Sequence, residues 1–274
     1  MNQHLSITSI GYSHIAAHKP CQDFSATYSD GERTIVTACD GHGGAIYVRS
    51  KIGSRLASFA VTRALLEVEN LLFHQYSAEE IERALRLSVL CEWNRLVERH
   101  LKAHPLRRRE LAGLTEKQVE DLKKNPIRAY GTTLGGAMLQ GKRLVCVSLG
   151  DGGCFLLKRG EVIPAFPDDE DEPVANITYS MCGEDAFKRM HARIFDAKSL
   201  DGVLLCTDGV LSPYGSMENF KRAFARPVLR RLLEDKAGEV KDFIRLLGRE
   251  KGVGDDVSLS VLLKDTAKLK DYQA

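Results

Sequence analysis

Apolar and polar residues change their spacing several times along the chain, and each change marks an element. Leu5 to Tyr12 alternates weakly and predicts a strand, followed by a polar loop, Ser13 to Asp23, that carries His14, His18 and Lys19. Phe24 to Tyr28 predicts a second strand. Asp30-Gly31 then reads as a hairpin turn into the β-branched run Thr34-Ile35-Val36-Thr37-Ala38-Cys39. From Ile46 to Phe73 the apolar residues (Ile52, Leu56, Phe59, Ala60, Leu65, Leu66) fall at helical spacing, which predicts a long helix. Ser77-Ala78-Glu79-Glu80 matches a capping box and opens a second helix, with Ile81, Leu85, Val89, Trp93, Leu96 and Val97 on its apolar face. Trp93, the only tryptophan, is expected in the core. Thr115-Glu116-Lys117-Gln118 caps a further helix, and the preceding Arg107-Arg108-Arg109 reads as a solvated face.

From Tyr130 the period shortens again. Gly131–Leu139, Arg143–Leu149 and Cys154–Lys158, with turns at Gln140-Gly141-Lys142 and Arg159-Gly160, predict a meander of antiparallel strands. Pro167 to Pro173, five acidic residues in seven positions, reads as an exposed loop. A short helix over Glu184–His191, a short strand over Arg193–Phe195 and an apolar strand over Gly202–Thr207 follow. Met217–Glu234 and Glu239–Glu250 are spaced as amphipathic helices, and Val257–Leu263 as a last strand. The polar tail after Lys264 is expected to fray. No repeat or linker divides the chain, so one domain over 1–264, with a helical insertion at about 95–128 and a tail over 265–274, is the simplest organisation.

Composition narrows the class. Of 274 residues 43% are apolar and 28% charged, as in a soluble globular protein. The 39 basic and 37 acidic residues nearly cancel, which argues against nucleic acid as a partner. Met1 to Gly11 does not read as a secretory leader, and no apolar run reaches the ~20 residues of a membrane span. Seven cysteines without a CxxC pair read as small buried hydrophobes of a reducing cytoplasm, with zinc disfavoured.

Five carboxylates share one local grammar. Asp23, Asp40, Asp151, Asp208 and Asp255 each stand beside a strand end, and the last four adjoin a glycine. A lone Asp-Gly usually only shapes a turn. Several at the ends of apolar strands would converge if the strands lie side by side, and they would repel one another without a cation. Aspartates, a carbonyl and water suit a hard ion, so a binuclear Mn²⁺ or Mg²⁺ site is the natural reading. His42 would then serve for proton transfer.

Six elements, in order and across nearly the whole chain, give a resemblance to the metal-dependent protein serine/threonine phosphatases of type 2C. They are Pro20-Cys21-Gln22-Asp23, Asp40-Gly41-His42-Gly43-Gly44, Gly131-Thr132-Thr133-Leu134, Gly150-Asp151-Gly152, Thr207-Asp208-Gly209-Val210 and Gly254-Asp255-Asp256-Val257-Ser258. The resemblance implies an α+β fold: two antiparallel sheets packed as a sandwich, with helices outside both (four layers, αββα). It implies that Asp40 bridges two metals, that the Gly41 carbonyl binds one, and that Asp208 and Asp255 complete the other. Asp23 would hold water at the metals, His42 would protonate the leaving alkoxide, and Asp151 matches a residue holding a third metal in many members. The implied activity is hydrolysis of phosphoserine and phosphothreonine in proteins by metal-activated water, opposing a Ser/Thr kinase, in a monomeric cytoplasmic enzyme.

Three positions depart from the pattern. Gln22 stands where the family usually has a ligand Glu, losing a charge but keeping a carbonyl oxygen that can still ligate, so weaker metal binding is expected there. His18 occupies the place of the phosphate-gripping Arg, with Lys19 adjacent; either could take part of that phosphate-binding role, though neither offers a bidentate fork. Ser212 stands where third-metal binders carry Asp. Asp256, where Asn is common, restores one nearby charge. Two other readings stay open on sequence alone: a phosphoprotein-binding module without turnover, and a metal phosphoesterase for small esters. Residues 95–125 and 167–173 are the expected specificity elements.

Overall fold

The chain is described from a computed structural model covering residues 2–72, 76–166 and 178–272. Its extended runs form β1 (Gln3–Ser9), β2 (Phe24–Ser29), β3 (Arg33–Cys39), β4 (Leu134–Gln140), β5 (Arg143–Leu149), β6 (Gly153–Lys158), β7 (Glu161–Pro164), β8 (His191–Asp196), β9 (Gly202–Cys206) and β10 (Val257–Leu263). The helices are α1 (Tyr12–Ala16), α2 (Ser50–Leu72), α3 (Ala78–Ala103), α4 (Arg108–Leu111), α5 (Glu116–Lys124), α6 (Ala186–Arg189), α7 (Asp208–Leu211), α8 (Met217–Phe220), α9 (Arg226–Leu233) and α10 (Ala237–Leu246). Two five-stranded antiparallel sheets, ordered β1-β10-β9-β6-β7 and β2-β3-β4-β5-β8, make an α+β sandwich flanked by helices.

Both faces of each sheet are covered, which is why the central strands are almost continuously apolar. In β3, Ile35 and Cys39 face α2 and α3, while Val36 and Ala38 meet Val203 and Leu205 of the opposite sheet. In β10, Leu259, Val261 and Leu263 pack under α9 and α10. Of its alternating inward positions, Leu262 is apolar while Ser258 and Ser260 carry hydroxyls. Ser258 bonds Thr8 at 2.7 Å, and Ser260 bonds Ser6 at 2.7 Å and the Thr37 carbonyl at 2.7 Å. These hydroxyls satisfy one another, so the polar stripe between the sheets carries little desolvation cost. Trp93 is fully buried, as expected, and its indole N–H donates to the Gly53 carbonyl at 3.3 Å. The seven cysteines are free; Cys39, Cys146, Cys154 and Cys206 are buried, whereas Cys91 is exposed.

Four expectations are corrected. The region 131–158 is not one meander: β4–β5 lie in one sheet and β6–β7 in the other. The chain crosses at Gly150-Asp151-Gly152, with Gly150 at φ +102°, a conformation that glycine adopts at low cost. The strand expected through Tyr12 ends at Ser9, and α1 follows. The helix over 217–234 is interrupted by a wider turn at Lys221–Ala225, just before Pro227, which has no N–H to continue the ladder. The tail packs back on the sandwich at Tyr272, whose ring is buried and whose hydroxyl donates to Asp201 Oδ2 at 2.9 Å. The acidic loop 167–173 lies outside the described residues. Arg107, Arg108 and Arg109 are exposed.

Candidate metal centre

Register brings the acidic strand ends together. Phe24 pairs with Cys39, placing the start of β2 beside the end of β3. Leu134 pairs with Leu149, so the β5–β6 crossing leaves the same end. Cys206 pairs with both Gly153 and Leu259, which sets the end of β9 beside the starts of β6 and β10. The aspartates that follow or precede these strands therefore converge on one end of the sandwich.

They line an open cleft of about 360 Å³. Asp40, Gly41, His42, Asp151, Asp208 and Asp255 face it. Carboxylate oxygens of Asp40, Asp151 and Asp208 lie within 4.8 Å of one another. Asp23 is buried behind them and accepts from the Thr207 hydroxyl at 2.8 Å. Burial, then the Asp256 charge, pushes its carboxyl up to about 8, against the pull of the Thr207 bond. Burial, then the charges of Asp23 and Asp208, pushes Asp40 well above the usual carboxylate range, and Asp208 is raised by burial and by Asp151. No Lys or Arg is among the described residues lining the cleft. The crowded carboxylates favour a bound cation, and an all-oxygen donor set fits a hard divalent ion.

Threonines hold the backbone of the central aspartate. The Thr132 hydroxyl donates to the Asp40 carbonyl at 2.7 Å, the Thr133 amide donates to the same oxygen at 2.8 Å, and the Asp40 amide donates to the Thr133 hydroxyl at 3.0 Å. This accounts for Gly131-Thr132-Thr133. The His42 amide donates to the Gly131 carbonyl at 3.1 Å, and its ring packs on Tyr47 with centroids 4.9 Å apart. A Cβ on Gly131 would lie 2.3 Å from the Tyr47 ring and 2.9 Å from His42 Cδ2, so only glycine fits. His42 Nε2 is buried without a partner. Burial holds the imidazole below its usual value, and the Asp151 charge draws it back up.

Gln22 sits beside the cleft. Its Nε2 donates to the His42 carbonyl at 3.2 Å and to Ser50 Oγ at 2.5 Å, leaving Oε1 buried and unpartnered. An orphaned amide oxygen beside a carboxylate cluster is the group expected of a ligand to a cation. His18 and Lys19, expected to bind phosphate, are not brought to the cleft. Both are exposed, and His18 (φ 51°) ends the turn after α1. The lining residues from this segment are Ser13 and His14. His14 Nδ1 lies 2.9 Å from Asp256 Oδ2, and its Nε2 lies 3.8 Å from Asp255. Asp256 is buried and also accepts from the amides of Gly11 at 2.8 Å and Gln22 at 2.6 Å, so it ties the N-terminal loop to the start of β10. Sequence reading assigned no role to His14, because a helix of five residues leaves no periodic signal. It also missed Thr178, whose hydroxyl donates to Asp151 Oδ2 at 2.6 Å.

The fold has solved counterparts. A bacterial serine phosphatase matches with TM-score 0.60 at 17% identity, over 98% of this chain and 100% of that one. The catalytic domain of serine threonine protein phosphatase PstP, in complex with 2 manganese ions, matches with TM-score 0.56 at 19% identity, over 96% and 97%. A C. elegans sex determining protein matches with TM-score 0.62 at 15% identity, over 99% of this chain and 66% of that one. At these identities the likeness establishes the fold. No curated protein sequence matches the chain. Residues 10–245 match the sequence profile of Protein phosphatase 2C, which spans most of the chain and every element of the cleft up to Asp208; the chain belongs to the protein phosphatase 2C family.

Proposed function

We propose that this chain is a metal-dependent protein serine/threonine phosphatase that uses two Mn²⁺ or Mg²⁺ ions. The observation that carries this reading is the convergence of strand-end carboxylates in a cleft whose described lining holds no Lys or Arg, in a chain of this family. The PstP catalytic domain, similar in fold, binds two manganese ions, which supports the choice of metal. Asp40, the Gly41 carbonyl, Asp208 and Asp255 are the ligands we assign, with Asp23 and the Gln22 oxygen beside them and Asp151 available to a third ion. When bound, the cations supply the positive charge that activates water and clamps the phosphoryl oxygens for in-line displacement.

The chain's own groups do the rest. His42 faces the cleft with Nε2 unpaired, placed to give a proton to the departing serine or threonine oxygen. Asp151 supplies the negative charge that favours the protonated ring. Thr132 and Thr133 fix the backbone of Asp40, so its carboxylate keeps one direction through turnover. Thr207 and Asp23 hold the floor of the site. The described residues contain no helix long and apolar enough to cross a membrane. A cytoplasmic monomer acting against a Ser/Thr kinase is the setting this reading proposes.

The test compares phosphoserine and phosphothreonine peptides with small phosphate esters at saturating Mn²⁺. The reading expects kcat/KM to favour the peptides. Preference for a small metabolite-like ester would replace it with a small-molecule phosphoesterase. Peptide binding without phosphate release would replace it with a binding module.

A further inference from the structure

The most deeply buried arginine of the chain is Arg49, at 5% exposure, in the loop that links Asp40 to α2. Nε donates to Glu110 Oε1 at 2.7 Å, and Nη2 donates to Glu110 Oε2 at 2.9 Å and to the Pro105 carbonyl at 3.0 Å. Nη1 donates to the His104 carbonyl at 2.7 Å and to the Tyr130 hydroxyl at 2.6 Å. These bonds use the full donor capacity of a guanidinium, which an ammonium cannot reproduce. Arg49 offers only donors, so the Tyr130 oxygen accepts from it and turns its own proton to His100 Nδ1, 2.7 Å away.

The network leads to the cleft. The Arg49 amide donates to the Ala129 carbonyl at 2.8 Å, and two residues on, the Gly131 carbonyl accepts the His42 amide. Gly41 bridges to Thr132. Both ends of the loop 41–49 thus rest on 129–132, one through the backbone at Gly41 and His42, the other through Arg49. The partners of the Arg49 side chain come from the helical segment after α3: the carbonyls of His104 and Pro105, and Glu110 of α4. Glu110 is itself held by the Arg107 amide at 2.9 Å.

We propose that Arg49 and Glu110 are positioning residues for His42, through which the helical segment 104–111 sets the loop that carries the proton donor. This rests on the reading of His42 given above. A buried guanidinium holds these three separate stretches in fixed relation through its rigid planar fork. Release frees the far end of the loop and lets the His42 ring drift. The segment is thereby a handle on catalysis.

Leaving-group dependence separates positioning from mere support. A phosphothreonine peptide expels an alkoxide that needs a proton, whereas p-nitrophenyl phosphate expels a stable phenolate that does not. With Mn²⁺ saturating, His42→Ala is expected to lose about 10²-fold in kcat on the peptide and far less on the nitrophenyl ester. Glu110→Gln and Arg49→Lys should follow the same pattern, each losing about tenfold on the peptide with KM nearly unchanged. Their calorimetric Mn²⁺ affinity should match wild type. If Glu110→Gln fails to fold by circular dichroism, Tyr130→Phe, which removes one oxygen from the network, carries the same comparison. Equal losses on both substrates, or none, while His42→Ala discriminates, would overturn the positioning role alone. Failure of His42→Ala to discriminate would remove the proton-donor reading, and this inference with it.

Discussion

Gln22→Glu places a carboxylate where the chain carries an amide, and the structure gives its cost. In the native chain the Gln22 amide nitrogen donates to the His42 carbonyl and to Ser50 Oγ. A carboxylate there turns the first contact into two facing acceptors, while the Ser50 hydroxyl can rotate and donate instead. One buried carbonyl loses its donor, and a charge joins a site that already holds the crowded carboxylates of Asp23 and Asp40. The loss is about 2 kcal/mol for the metal-free protein. In a chain of this size that lowers Tm by about 4–8 °C. Metal reverses the sign. A carboxylate oxygen binds a dication more tightly than an amide oxygen, and each tenfold gain in affinity adds about 1.4 kcal/mol at saturation. Differential scanning fluorimetry in EDTA and in excess Mn²⁺ checks both halves. Gln22→Glu should melt lower than wild type in EDTA, yet gain about 3–6 °C more from Mn²⁺. A variant as stable as wild type in EDTA, or one that gains no more from Mn²⁺, would refute the placement of Gln22 beside the cation.

Three further outcomes follow from the same geometry. Thr207→Val removes the hydroxyl that donates to Asp23 and accepts from the Ser258 amide at 3.0 Å, and should cost about 2–3 kcal/mol in urea unfolding of the metal-free protein. Gly131→Ala forces a methyl into the Tyr47 and His42 rings and should lower kcat on phosphothreonine peptide about 10²-fold, with Mn²⁺ affinity by calorimetry unchanged. Asp40 and Asp208 are raised in the same sense, and the raised Asp23 carboxyl gives the window for the pH dependence of the metal-free fold. Between an unfolded value of about 4 and its native value of about 8 the folded state holds more protons than the unfolded one, so stability falls as pH rises through that window. Tm in EDTA should therefore decline from pH 5 to pH 8, and Mn²⁺ should abolish the decline.

What was legible in the sequence is what local chemistry dictates. Asp-Gly and Asp-Asp at strand ends reveal the convergent site because strand ends in paired sheets must lie together. Ser77 to Glu80 gives the start of α3, where the Ser77 hydroxyl and the Glu80 carboxylate satisfy each other's backbone amides. What escaped depends on tertiary contacts that leave no periodic trace. Gly150-Asp151-Gly152 reads as a hairpin turn whether the next strand stays in its sheet or crosses to the other. His18 and Lys19 stand where the resemblance puts a phosphate-gripping Arg, but the turn at His18 leaves them in solvent and puts His14 at the cleft. Tyr272 is one aromatic residue in a polar tail, and its burial beside Asp201 follows from the shape of the far side of the sandwich. Arg49 looks like a solvent-facing residue at a helix entrance until Glu110, 61 positions on, closes over it.

The central claim is a cation-dependent hydrolysis built on Asp40. Phosphate release from a phosphothreonine peptide, followed with and without Mn²⁺ for wild type and Asp40→Asn, tests it most directly. Turnover that requires Mn²⁺ and falls by about 10²-fold or more in Asp40→Asn is the result predicted. Turnover that persists in EDTA, or is unchanged in a folded Asp40→Asn, would contradict it.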